Sequence, residues 1–440
     1  MTQKIIVIFI LLLVKQAFAE LSQHEKELVR NMASYVMVPE KVMDSFEKLS
    51  SQEFIKPSEP IHVEENHSNI LFKYYPELQK KLSYIALGDL PTPVYFCKNL
   101  SATFSHAKIF IKHDGTTGKI TADGTRTFGG NKLRKLQYLL ADAIAHGHHT
   151  VLTFGCVGSN HALQTTVCAQ ELGLKTICML RHQPNSHVVQ RNLLLQKAHN
   201  AQVYFSPDTV VHGLMTAAVC YDQKQRTGQF PYVIPVGGSC ARGAVGYVEA
   251  AFELKEQIES NILPVPDRMY VTLGSAGTAS GLLLGLKAAG ITTKVYLVIE
   301  APETVPGTAL KKVYRLFAET NALLQSYDST FPTCSLHEHD YEVITDCAGR
   351  GYGLFTQEAV DAINILYTHE KIKLDGTYTG KCFSALIRDV QSGSCNGQTI
   401  LFWNTFCGED FNDIIATVDY HQLPHALHRY FEEPVQTLDR

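Results

Sequence analysis

The sequence predicts an α/β fold of open, twisted, mostly parallel sheets flanked by helices. Two observations carry this expectation. From Leu87 onward, short apolar runs alternate with helical patterns, the order that builds parallel strands joined by crossover helices. Twice, an apolar run of strand length passes through a glycine-bearing loop into a helix. Thr150 to Phe154 leads to Ala162 to Leu172, and Met269 to Leu273 leads to Leu282 to Ala289. Ligands of such sheets collect at the carboxyl ends of the strands, so these loops are candidate sites.

The most informative stretch is Phe128-Gly129-Gly130-Asn131-Lys132-Leu133-Arg134-Lys135-Leu136, which sets a lysine at the mouth of a helix expected over Leu133 to Ala145. An amine there has flexible backbone before it and amide donors around it. It can form a Schiff base with a carbonyl such as that of pyridoxal phosphate. The plain reading is a Gly-Gly turn leading into a helix with a solvated basic first turn. Lys135 lies one helical turn on and can reach a phosphate held beside Lys132.

The loop Phe154-Gly155-Cys156-Val157-Gly158-Ser159-Asn160-His161 offers Ser159, Asn160 and His161 at a helix N-terminus. In isolation it reads as a Ser/Asn cap with an incidental histidine. The loop Gly274-Ser275-Ala276-Gly277-Thr278-Ala279-Ser280-Gly281 brings small residues and hydroxyls to another helix start, which suits a phosphate. It is not a Walker A loop, and its spacing fails the dinucleotide fingerprint.

Together and in this order, the three loops resemble the tryptophan-synthase-like, fold-type II pyridoxal phosphate enzymes. The nearest likeness is to the family of D-cysteine desulfhydrase and 1-aminocyclopropane-1-carboxylate deaminase. Leu87-Gly88-Asp89-Leu90-Pro91-Thr92-Pro93-Val94, Ile234-Pro235-Val236-Gly237-Gly238-Ser239, Gly351-Tyr352-Gly353 and Tyr378-Thr379-Gly380-Lys381 add to it, so the resemblance runs from about Leu87 to Gly408. It implies a large cofactor domain (residues 85–137 and 264–440) with a smaller α/β insert (138–263), facing each other across a cleft.

The resemblance also implies roles. Lys132 holds pyridoxal phosphate and then removes the substrate α-proton, which requires a neutral amine. Lys135 contacts the phosphate, Ser275, Gly277 and Thr278 complete its cradle, and Asn160 bonds the ring hydroxyl. Ser159 and His161 meet the carboxylate or leaving group of a small amino-acid substrate, and Tyr352 and Tyr378 flank the cofactor. Ala276 departs from the usual glycine, and His113-Asp114-Gly115 after Lys112 departs from the usual Arg-Asp-Asp. Cys156 and Gly158 also differ from the usual loop.

Thr379 stands where family deaminases carry a glutamate for the pyridine nitrogen. A hydroxyl there makes a weaker electron sink, which favours β-elimination, for example of D-cysteine to pyruvate, ammonia and sulfide. His161 in place of the deaminases' glutamine points the same way. Cyclopropane ring opening is the alternative, and a non-catalytic exported binding protein is the rival of another class. Gly237-Gly238-Ser239 reads as a loop at the domain boundary. A homodimer is the expected assembly.

Composition bounds this reading. A chain of 440 residues, 45% hydrophobic, can bury a large core, and a net charge of −4 gives no basic footprint for nucleic acid. Lys4, the apolar run Ile5 to Val14 and Ala17-Phe18-Ala19 predict a signal peptide over residues 1–19 and export to the periplasm or beyond. The alternative is an N-terminal helix of a cytoplasmic protein. Residues 20–84 read as a charged extension with helical patterns at 24–35 and 41–49.

Eleven cysteines form no CxxC or zinc pattern. Cys97, Cys168, Cys178 and Cys220 read as buried, and Cys334–Cys347 or Cys382–Cys395 are candidate disulfides. The clusters His146-Gly147-His148-His149 and His337-Glu338-His339-Asp340 lack spaced partners for a metal, so none is expected.

Overall fold

A computed structural model of the chain describes residues 69–439 except 105, 106 and 123. The expected signal peptide and the helical patterns at 24–35 and 41–49 lie outside the described residues. From Asn69, the last part of the expected extension packs Leu71, Phe72, Leu78 and Leu82 into the main core. No helix among the described residues is long and apolar enough to cross a membrane.

The strands are β1 (Val94–Phe96), β2 (Lys108–His113), β3 (Thr150–Cys156), β4 (Lys175–Arg181), β5 (Gln202–Phe205), β6 (Tyr232–Ile234), β7 (Arg268–Leu273), β8 (Lys294–Ile299), β9 (Tyr341–Ile344) and β10 (Thr399–Asn404). They form a six-stranded sheet of order β1-β2-β10-β7-β8-β9 and a four-stranded sheet of order β5-β4-β3-β6. Every pairing is parallel except β1 with β2.

The central strands of the large sheet are apolar on both faces, as a sheet covered on both sides requires. Met269, Val271, Leu297 and Trp403 join one core cluster, while Tyr270, Val298, Ile400 and Phe402 alternate into the other. The principal helices are α1 (Lys132–Ala145), α2 (Asn160–Glu171), α3 (His187–Ala198), α4 (Thr209–Thr227), α5 (Ala241–Glu259), α6 (Gly277–Ala289), α7 (Pro306–Tyr327), α8 (Gln357–Glu370) and α9 (Thr379–Gln391).

Two segments pack differently from the expected domain boundaries. All four strands of the smaller sheet lie within 138–263, but α5 buries Val245, Val248 and Phe252 in the large sheet's core. Close packing against α6 holds it there: a Cβ on Gly281 would fall 2.4 Å from the Ala244 carbonyl oxygen, and one on Gly285 2.6 Å from Ala251 Cβ. The C-terminal segment, expected with the large domain, instead seats Leu423, Leu427 and Tyr430 against Cys178, Leu180, Val189 and Leu193 of the smaller sheet's layer. All eleven cysteines are free thiols. Cys334 and Cys347 pack on opposite faces of the large sheet and cannot pair, while Cys382 and Cys395 are both buried and unlinked.

Candidate active site

The carboxyl ends of β3, β7, β8 and β10 converge on a cavity of about 410 Å³, lined by loops of both sheets. Lys132 is the first residue of α1 and lies on its wall. Burial pulls its ammonium down to about 8, against the attraction of Asp375 and Glu300. The loop before it is pinned from below: Gly130 N–H donates to the Asp114 carbonyl (3.1 Å) and Asn131 N–H to the Thr405 carbonyl (3.2 Å).

Asp114 belongs to a buried charge cluster. Arg134 donates to Asp114 Oδ1 (2.9 Å) and Glu253 Oε2 (3.0 Å), Lys112 pairs with Glu253, and Tyr247 and Trp403 each donate to Asp114 Oδ2 (2.7 Å). Against the upward push of burial, Arg134 and Lys112 hold the Glu253 carboxyl down at about 2. The departures noted at Lys112 to Gly115 therefore fall in the foundation of the Lys132 loop.

Lys135 lies behind the cavity wall and is fully buried. Its Nζ donates to the Gly237 carbonyl (3.1 Å) and Ser239 Oγ (3.4 Å), and no carboxylate pairs with it among the described residues. Burial and the neighbouring Lys132 push this ammonium well down. Ser239 Oγ meets Ser275 Oγ (2.8 Å) and accepts from Gly277 N–H (3.2 Å), while Thr278 Oγ1 accepts from Asn131 (3.2 Å). Ser275 and Thr278 line the cavity. A Cβ on Gly277 would fall 2.6 Å from Ser239 Oγ and 2.9 Å from Lys135 Nζ. A buried amine without a counter-charge, hydroxyls and a helix N-terminus are the set a phosphate satisfies, so the residues fit pyridoxal phosphate.

Ala276, the noted departure from glycine, has φ +74° and is strained there. Ala276→Gly is expected to raise the unfolding free energy by about 1 kcal/mol, the left-handed cost removed less the entropy glycine adds. Urea unfolding measures this, and a destabilised variant would contradict the assignment.

On the opposite wall, Ser159 caps α2, with its Oγ accepting from Ala162 N–H (3.1 Å) and its own proton left to donate. Asn160 is oriented by a relay. Arg191 Nε donates to Asn192 Oδ1 (3.0 Å) and Asn192 Nδ2 donates to Asn160 Oδ1 (2.9 Å), which leaves the Asn160 amide hydrogens for the cavity. His161 Nε2 meets Thr153 Oγ1 (3.0 Å). Burial, with Lys132 and Lys135 close by, keeps its imidazole neutral, so His161 offers no cation to a carboxylate.

Tyr352 and Tyr378 meet hydroxyl to hydroxyl on the wall, and burial holds both phenols protonated. Thr379, expected to face the pyridine nitrogen, is buried and bonded to Asp375. Its N–H and Oγ1 both donate to Asp375 Oδ1 (2.8 and 2.5 Å), and its Oγ1 accepts from Asp375 N–H (2.8 Å). At the first turn of α9 the hydroxyl's one proton is thus given to Asp375, which leaves a lone pair to accept a further bond, and Asp375 lines the cavity.

Sequence reasoning missed Asp375, Glu300 and Ser239 as wall residues. Burial pushes Glu300 up to about 7, and its Oε1 accepts from Thr304 (3.1 Å). For Ser239 a signal existed: a Gly-Gly-Ser after a strand repeats the small-residue pattern of the 274–281 loop. Asp375 and Glu300 carried no local pattern.

The sequence pattern of the family described as "Pyridoxal-phosphate dependent enzyme" matches residues 85–405. The chain is 33% identical over 310 residues to a D-cysteine desulfhydrase of Klebsiella pneumoniae (strain 342), covering 70% of this chain and 88% of that one. It is 32% identical over 331 residues to a D-cysteine desulfhydrase of Salmonella paratyphi A, covering 73% and 93%. Among solved structures, one titled as an ACC deaminase homologue superposes with TM-score 0.65 at 29% identity, covering 80% of this chain and 99% of that one. The processed form of threonine deaminase isoform 2 from Solanum lycopersicum shares the fold at TM-score 0.51 and 14% identity, covering 87% and 93%.

Proposed function

Because the chain belongs to the family of pyridoxal-phosphate-dependent enzymes, we propose that it catalyses β-elimination from a small β-substituted amino acid, D-cysteine foremost. The observation that carries this reading is the Lys132 amine, brought to about 8 by burial, on a small cavity whose wall also holds the joined phenols of Tyr352 and Tyr378. The likeness to D-cysteine desulfhydrases supports the choice of substrate.

When bound, pyridoxal phosphate supplies the electron sink that makes an amino acid's α-proton acidic. The chain does the rest. Lys135, Ser239, Ser275, Thr278 and the α6 N-terminus would hold the phosphate, and Asn160 would bond the ring hydroxyl. Ser159, with the first turn of α2, holds the substrate carboxylate. Lys132, as the neutral amine, takes the α-proton. The Tyr352–Tyr378 pair delivers a proton to the departing sulfur. Overall, D-cysteine and water give pyruvate, ammonia and hydrogen sulfide.

The test compares two activities of the purified holoenzyme, each followed by keto-acid formation. Pyruvate and sulfide from D-cysteine are expected to form far faster than 2-oxobutyrate from 1-aminocyclopropane-1-carboxylate. A preference for the cyclopropane substrate would overturn the reading.

A further inference from the structure

We propose that the ammonium of Lys381 is a built-in monovalent cation that clamps three wall-bearing segments together, and that its removal leaves a site for a small alkali cation. Lys381 has no exposed surface, and no ion pair holds it among the described residues. Its Nζ donates instead to two main-chain carbonyls, those of Glu300 and Ala348, each at 2.7 Å. A buried charge is costly unless its surroundings replace the lost water. Here two carbonyl dipoles do so, with the carboxylates of Glu300, Asp375 and Glu303 nearby. Main-chain carbonyl oxygens are also the ligands by which proteins hold dehydrated potassium.

The two carbonyls belong to different parts of the fold. Glu300 directly follows β8, and Ala348 lies in the loop that leads to Tyr352. Lys381 itself stands on α9, three residues beyond Tyr378. One ammonium therefore joins the segments that present Glu300, Tyr352 and Tyr378 to the cavity. The loop touches Lys381 at Gly349, which has φ +73°: a Cβ there would lie in ordinary contact, 3.7 Å from Lys381 Nζ. Lys381 does not line the cavity, so it is a positioning residue that acts through the tyrosine pair.

The experiment compares wild type, Lys381→Ala and Lys381→Met holoenzymes in potassium, rubidium or choline chloride at equal ionic strength. Wild type is expected to be indifferent to the cation. In choline, Lys381→Ala is expected to lose about 10- to 100-fold in kcat, with a smaller change in KM, as the phenol pair shifts from its place. Potassium is expected to restore most of that loss saturably, and to raise the thermal midpoint of Lys381→Ala alone, as mass action requires of a ligand bound only by the folded state. Lys381→Met, which fills the space with an apolar chain, is expected to be impaired and unresponsive.

Two results would overturn the proposal. One is wild-type kcat for Lys381→Ala in choline. The other is a Lys381→Ala protein in which potassium moves neither kcat nor the thermal midpoint. The midpoint needs no substrate, so it decides the matter even if D-cysteine proves not to be turned over. If Lys381→Ala folds only in potassium, that dependence is itself the expected result.

Discussion

Lys132→Ala is expected to fold, to bind pyridoxal phosphate only reversibly and to lose turnover by at least about 10²–10⁴-fold, the range for a positioned general base. Of the other amines, Lys312 lines the cavity from α7, and Lys135 lies behind the wall, bonded to Gly237 and Ser239. In the wild type, capture of added cofactor by the apoprotein is expected to quicken with pH and level off above about 8, because only the neutral Lys132 amine attacks a carbonyl. An unperturbed lysine would keep quickening toward its ordinary value of 10.5. Lys135→Ala is expected instead to leave capture intact and weaken retention by about 1.5–3 kcal/mol, the worth of one charge-assisted contact. Spectral titration with cofactor separates the two variants.

Arg134→Ala is expected to cost about 3–5 kcal/mol of stability, because it strands Asp114 and part of Glu253 as buried charges. The cost is one of breaking the cluster rather than a measure of what an intact ion pair contributes. The pH dependence follows from Glu253, whose folded value of about 2 lies below its ordinary 4.5. A depressed carboxyl contributes stability that is complete above the ordinary value and lost as pH falls through the folded one. Wild type is therefore expected to lose stability between about pH 4.5 and 2, and Arg134→Ala to lose less over that window. Urea unfolding at pH 7 and at pH 3 measures both. A loss below about 1 kcal/mol at pH 7 would mean the site relaxes around the missing guanidinium.

Much of the fold was legible because each strand-loop-helix unit is local. The apolar runs that became β3 and β7 and the glycine loops that lead into α2 and α6 carry their own signals. The same holds for Lys132, Ser159 and Asn160, which sit at helix starts. The bond from Thr379 to Asp375 was not foreseen, because Asp375 lies four residues back in a turn that no hydrophobic period announces. The buried cluster of Lys112, Asp114, Arg134 and Glu253 was equally silent. Its outermost members lie 141 residues apart, and no local pattern joins them. The packing of α5 with the large sheet's layer turned on close helix approaches at Gly281 and Gly285, which a boundary drawn from resemblance does not register.

The most direct measurement is borohydride reduction of the holoenzyme followed by peptide mapping. The expected result is one pyridoxyl group per chain on Lys132, in the peptide that contains Gly129-Gly130-Asn131. A label on Lys135, or none on the 128–136 segment, would contradict the account of this site.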